Sequence, residues 1–318
     1  MWKRVWAYLQ RRYPWLKPQH PIALRDARWV HHELPLFIRR LANPWTLLGY
    51  AAVIHGLMFI FRVIIYNYLN PALASTLLPV VSPFLTPFGT PIATGLLHSI
   101  LYWAMLIGIC NHTAHAITRE RASGSWTLLL LTPFRPVDVL MAKLAVVWRT
   151  WVGVLQTLTI IRLVGLLVLP IAVASQQTRE APAFQTLDLI GVGVFLLQPY
   201  AEAVLALGGS ALMAMLVRDP MWARLAAYGV LGLGIGGLNG AAAGWLAFTS
   251  PIGGLAGILV PLGHWMPLVA TSVPPLSQTA YAMQTAVLAL TLVVLPVALG
   301  ILAIRHAIRR GAEAVRPT

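Results

Sequence analysis

The chain has 318 residues, of which 58% are hydrophobic and only 10% charged, with a mean hydropathy of +0.74 and a formal net charge of +14. A soluble domain ordinarily carries about 25% charged residues, and such apolarity with a single cysteine excludes both disorder and a disulfide-stapled secreted fold. A membrane helix takes roughly 20 apolar residues, so six spans would leave little chain for a water-soluble catalytic domain.

The amino terminus does not read as a signal peptide, because no apolar h-region or small-residue cleavage site follows Trp2-Lys3-Arg4. Trp2, Val5, Trp6, Leu9 and Tyr13 share one helical face, with Lys3, Arg4, Arg11 and Arg12 elsewhere, the pattern of a helix lying in the membrane interface. Pro14 to Pro21 ends it. A second stripe follows at helical spacing, Ala23, Ala27, Val30, Leu34, Phe37 and Leu41, with Pro35 as a kink. Residues 1–44 thus read as amphipathic, interfacial helices. The bland alternative is a pair of solvated helices.

Residues 45–318 read as one all-α polytopic membrane domain of six transmembrane helices, at about 46–66, 92–114, 145–171, 189–217, 222–247 and 280–304. The stretch 252–273 is also apolar, but Pro251, Pro261, Pro267, Pro274 and Pro275 punctuate it together with several glycines. It reads as short re-entrant or extracellular helices before span six, since a lipid-exposed broken helix would leave backbone groups unsatisfied. A seventh span there is the alternative topology.

Basic residues set the orientation. With six spans, 20 of the 23 Lys and Arg residues fall on one side, Arg179 alone on the other, and Arg62 and Arg162 within spans. The rich side is expected to be cytoplasmic in a plasma membrane, with both termini there. The positive charge then becomes a topology signal and a contact for anionic lipid head groups. A nucleic-acid role has no separate basic domain, zinc spacing or RNA-recognition pattern behind it.

Between spans two and three, the loop 115–144 holds Arg119-Glu120-Arg121, Gly124-Ser125, Trp126, Leu128 to Leu131, Thr132-Pro133, Pro136-Val137-Asp138 and Lys143. Trp126 to Leu131 is apolar yet too short to span, so it must bury its face against lipid or a partner. The segment resembles the permease subunits of the type-two ATP-binding-cassette exporters, which carry Glu-Arg, Gly-Thr or Gly-Ser, an aromatic residue or Leu, a leucine run, Thr-Pro and a later Lys in this order. The stretch from His20-Pro21 to Asp26 also looks like the short amino-terminal helix of those permeases, although His20 stands where Asn is usual. Ala122 stands where many members have a second Glu.

The resemblance implies a cytoplasmic coupling helix that docks on a separate ATPase. Arg119, Glu120 and Arg121 would form the polar part of the contact, and Trp126 with Leu128, Leu129 and the rest of the run to Leu131 the apolar part, between Gly124 and Pro133. It implies two ATPase subunits, which carry ATP and magnesium. No phosphate-binding loop occurs in this chain, so no cofactor is expected here and the chain reads as non-catalytic. The alternative is a polytopic membrane enzyme or a structural subunit of a membrane complex.

Three further features stand out. Gly232, Gly236, Gly240 and Gly244 repeat at i, i+4 in span five, a small-residue surface suited to close helix approach. In the family the first and fifth spans line the seam with a second permease copy or paralogue; packing inside one subunit is the alternative. Arg162 and Glu202 are the charges deepest in the spans, on antiparallel neighbours, and read as an intramembrane pair or as part of a substrate or proton path. His112 and His115, with Cys110 nearby, read as satisfied membrane-edge histidines rather than a metal site, since no acidic residue joins them in the span.

Overall fold

The computed structural model describes residues 13, 15, 21–33, 89–131, 133–174, 189–249, 283 and 286–313. The expected first span 46–66, Arg62, the 252–273 region and nearly all of the first amphipathic helix lie outside these. Among the described residues, regular structure is entirely helical. In chain order the elements are α1 (Pro21–Glu33), α2 (Gly89–Ala122), α3 (Ser125–Leu130), α4 (Pro136–Ala174), α5 (Leu189–Leu216) and α6 (Pro220–Gly229). A π-helical stretch (Val230–Ile235) continues α6 into α7 (Gly236–Thr249), and a second (Leu290–Val294) leads into α8 (Leu295–Glu313).

Five helical segments are long and apolar enough to cross a membrane: His98–Ala122, Pro136–Leu163, Val192–Leu216, Pro220–Ala242 and Ala286–Glu313. The architecture is that of an all-α polytopic membrane protein. The five overlap the second to sixth expected spans, but α2, α4 and the final helix overrun them at one end of the bundle. The overrun is helix that stands at the basic end and carries Arg119, Arg121, Arg305, Arg309 and Arg310.

Helix boundaries follow local chemistry. The α5–α6 connection is three residues long because Asp219 caps α6 immediately, accepting hydrogen bonds from the Met221 and Trp222 amides at 2.8 and 3.0 Å, with Pro220 preset for the first turn. Gly124 separates α2 from α3 by adopting a left-handed conformation (φ 72°), which side chains resist.

Glycine permits the tightest helix contacts. A Cβ on Gly208 would lie 2.2 Å from the Gly300 carbonyl oxygen, and one on Gly300 would lie 2.7 Å from that of Val204. The backbones of α5 and α8 therefore touch directly. Gly108 of α2 makes room for Trp151 of α4, whose indole N–H donates to His112 Nδ1, one turn further along, at 3.1 Å. Neither glycine seam belongs to the Gly232 to Gly244 repeat. Among the described residues, nothing comes within 4 Å of a Cβ built on Gly232, Gly240 or Gly244, and Gly236 would meet only its own helix's Leu231 carbonyl.

α1 matches its apolar stripe at Ala23 but not at Ala27. Ile22, Ala23 and Asp26 are buried, whereas Ala27 and Leu24 are exposed. Asp26 accepts a hydrogen bond from Lys143 of α4 at 2.8 Å.

Replacing Gly300 with Val should lower thermal stability in detergent by about 1–3 kcal/mol, the usual cost of overpacking, because backbone atoms oppose the new side chain. Gly240→Ala should leave the single chain's melting temperature unchanged. Thermal unfolding followed by circular dichroism checks both.

Candidate functional site

At the basic end, four ionic side chains from three helices meet. Glu120 near the end of α2, Lys143 of α4 and Asp26 of α1 are buried, with side chains 3%, 1% and 3% exposed; Arg25 of α1 is half-exposed at 46%. Lys143 Nζ lies 2.8 Å from Asp26 Oδ2 and 3.4 Å from Glu120 Oε1. Arg25 donates to Asp26 Oδ1 at 3.1 Å and also to Glu120 Oε1. Ser125, the first residue of α3, donates to Glu120 Oε2. Ser123 donates to the Glu120 carbonyl at 3.2 Å and meets the Ser125 hydroxyl at 2.8 Å. Two carboxylates and two cations thus form a neutral quartet, and removing one member would strand buried charge.

The quartet holds α3 by its first turn, and Trp126 holds it by its body. Trp126 is buried with Met215 of α5 and lies against Gly311 of α8, where a Cβ would sit 3.3 Å from its ring. Leu129 is partly buried, whereas Leu128 and Leu131 stand 66% and 73% exposed. Pro133 is exposed in the turn that follows.

The structure therefore divides the residues expected to form one outward contact. Glu120 and Trp126 face inward. Arg121 turns to α5 and donates to the carbonyls of Ala214, Met215 and Val217 at 2.6, 2.9 and 3.2 Å, a cation at a helix carboxyl end. Arg119, Leu128 and Leu131 are the members that face out. Beyond α3, Arg135 pairs with Asp138 in the first turn of α4 at 2.9 Å, and the hydrogen bond and charge of Asp138 raise the guanidinium's pKa.

A second polar group lies inside the bundle. Arg162 and Glu202 are both fully buried, but they do not pair directly; Gln198 stands between them. Arg162 Nη1 reaches Gln198 Oε1 at 3.4 Å, and Gln198 Nε2 donates to Glu202 Oε1 at 3.1 Å. The separation has a local cause. Pro199 in α5 has no amide hydrogen, so the Phe195 carbonyl one turn back loses its helical donor. Arg162 donates to that carbonyl, stacks 4.6 Å over the Phe195 ring, and donates through Nε to His98 Nε2 at 2.9 Å. Asn239 of α7 completes the group by donating to Glu202 Oε1 at 2.8 Å and to the Ile235 carbonyl at 3.0 Å, at the end of the π-helical stretch.

The reading of the sequence missed Gln198, Asn239, Pro199 and His98 as parts of this group. Two side-chain amides and a proline inside apolar spans were the available signal, with Gln198 one turn before Glu202.

A scan against protein-family models finds no match, and no curated protein and no solved structure is similar to the chain. The chemistry of the two clusters therefore rests on their own geometry. His112 takes the Trp151 indole and His115 meets Arg224 of α6. Among the described residues no group of three or more metal-ligating side chains converges.

Replacing Lys143 with Met should destabilise the chain by about 3–5 kcal/mol, the range for breaking a buried pair. Adding Asp26→Asn should recover part of that loss. Thermal unfolding of the two single variants and the double variant gives the coupling; strict additivity would contradict the quartet.

Proposed function

We propose that the chain is the membrane-spanning permease subunit of an ATP-driven exporter of the type-two ATP-binding-cassette kind. In this reading it works with two separate ATPase subunits, which hold ATP and magnesium, and with a second permease copy or a paralogue. The basic end faces the cytoplasm of the cell in which the chain sits in the plasma membrane, and α3 is the coupling helix.

One observation carries this reading. The three separated pieces of sequence that resemble those permeases, around Asp26, Glu120 and Lys143, meet in a single buried ionic quartet. That quartet, with Trp126, fixes a six-residue helix against the ends of the spans while leaving Leu128 and Leu131 bare. Exposed leucines on a short, firmly held helix are a poor arrangement for a solvated loop and a suitable one for transmitting a partner's movement. Glu120 and Arg121 then serve as the fixings of the coupling helix, and the partner's contact narrows to Leu128, Leu131 and Arg119.

The Gly232 to Gly244 face is open among the described residues, in keeping with a seam to another copy. The lipid surface is the alternative neighbour for such a face, and oligomer measurement separates them.

Leu128→Asp combined with Leu131→Asp should leave folding and melting temperature intact, since both side chains are exposed. The variant should lose co-purification with, and stimulation of, an ATP-binding-cassette ATPase that associates with the wild-type chain. Retained association would overturn the role given to α3. Gly236→Leu should lower the dimer fraction measured by mass photometry in nanodiscs; an unchanged dimer would place the seam elsewhere.

A further inference from the structure

Glu202 is 1% exposed in the middle of α5, yet no cation touches its carboxyl group among the described residues. Its two hydrogen-bond donors are neutral amides, Gln198 Nε2 at 3.1 Å and Asn239 Nδ2 at 2.8 Å, and both reach the same oxygen, Oε1. Oε2 is buried and has no hydrogen-bond partner among the described residues.

The cation of this polar group is already committed. Arg162 donates to the Phe195 carbonyl that Pro199 releases, to His98 and to Gln198, and it lies over the Phe195 ring. All of these partners are uncharged acceptors or a ring, so among the described residues the guanidinium is solvated by neutral groups. It is held to its task by the proline and cannot swing to Glu202 without leaving that carbonyl bare.

Among the described residues, other ionisable groups do not supply a counter-charge. From α2 the network receives His98 and Tyr102, whose rings stack at 6.0 Å, and from α4 it receives Arg162. On α5 itself, Tyr200 pairs with the Thr159 hydroxyl of α4 at 3.0 Å. On α6, Arg224 is engaged with His115. α7 contributes Asn239, and the final helix has no ionisable residue between Ala286 and Ile304. A carboxylate deep in the bilayer without a contacting cation is strongly disfavoured, and such a group is neutralised by taking up a proton.

We propose that Glu202 is a proton-binding site in the interior of the helix bundle. A proton from water adds to Oε2, forming an O–H bond and a neutral carboxyl, while Oε1 keeps its two amide donors. Release returns the proton to water and leaves an anion one glutamine away from Arg162. Because Gln198 and Asn239 bridge α5 to α4 and α7, the two protonation states favour different packings of those three helices. The site stands independently of any ATPase partner.

Infrared spectroscopy of the full chain in lipid nanodiscs, with carbon-13 glutamate, tests this. Five glutamates are present; Glu120 is paired with Arg25 and Lys143, and Glu313 is exposed beside Arg310. The expected result is a protonated-carboxyl carbonyl band at neutral pH that shifts with the glutamate label and in heavy water, and that disappears as pH rises. It should be absent from Glu202→Gln. In Glu202→Asp, which keeps the acid, the band should move to the aspartate label. No label-sensitive protonated band in the folded wild-type chain would overturn the proposal, as would a band that survives Glu202→Gln. The wild-type measurement decides even if the Gln variant does not fold.

Discussion

The neutral quartet of Arg25, Asp26, Glu120 and Lys143 is the contact on which the basic end of the molecule depends. Desolvating the three buried charges is costly, and only mutual pairing with satisfied hydrogen bonds, completed by the half-exposed Arg25, offsets it. That condition requires α1, α2 and α4 to be placed together within a few tenths of an ångström. α3 is then fixed through Ser125, and its position follows from the same geometry. Charge pairing of this kind contributes more to the choice of one arrangement than to net stability. A purely apolar junction of the same helices would tolerate sliding.

Within the membrane the governing constraint is different. Backbone groups there have no water, so Pro199 creates a problem that a side chain must solve. Arg162 solves it for the Phe195 carbonyl, and this use of the guanidinium leaves Glu202 to neutral amides. The α5–α8 seam shows the same economy of space. Gly208 and Gly300 let the two backbones meet, where apolar side chains alone would gain little over lipid. The small residues used inside the chain are thus distinct from the open repeat on span five.

Much of the architecture was legible in the sequence because hydropathy reports length and burial in lipid directly. The helices α2, α4, α5, α6 with α7, and the final helix all overlap expected spans. Gly124 as a helix stop and Pro136 as the start of α4 were likewise readable from local chemistry. Side-chain direction was not. Trp126 was grouped with Leu128 and Leu129 because all are apolar, yet on a six-residue helix they point to different neighbours, and only Leu128 is bare. Arg162 and Glu202 were expected to attract one another because charge suggests pairing; the competing demand came from Pro199, less than one turn before Glu202, which frees the Phe195 carbonyl. α1 was read by its apolar stripe, which the structure matches at Ala23 and not at Ala27, and the buried Asp26 lies off that stripe.

The central physical claim is that buried charge fixes α3 to the spans. Hydrogen exchange of the α1 and α3 amides, compared between the wild-type chain and Lys143→Met in the same nanodiscs, tests it most directly. If the quartet is the fixing, both helices lose protection together in the variant while the middle of α5 keeps its own. Unchanged protection in α3 would show that Trp126 packing alone holds the helix and that the quartet is not what couples it to the membrane domain.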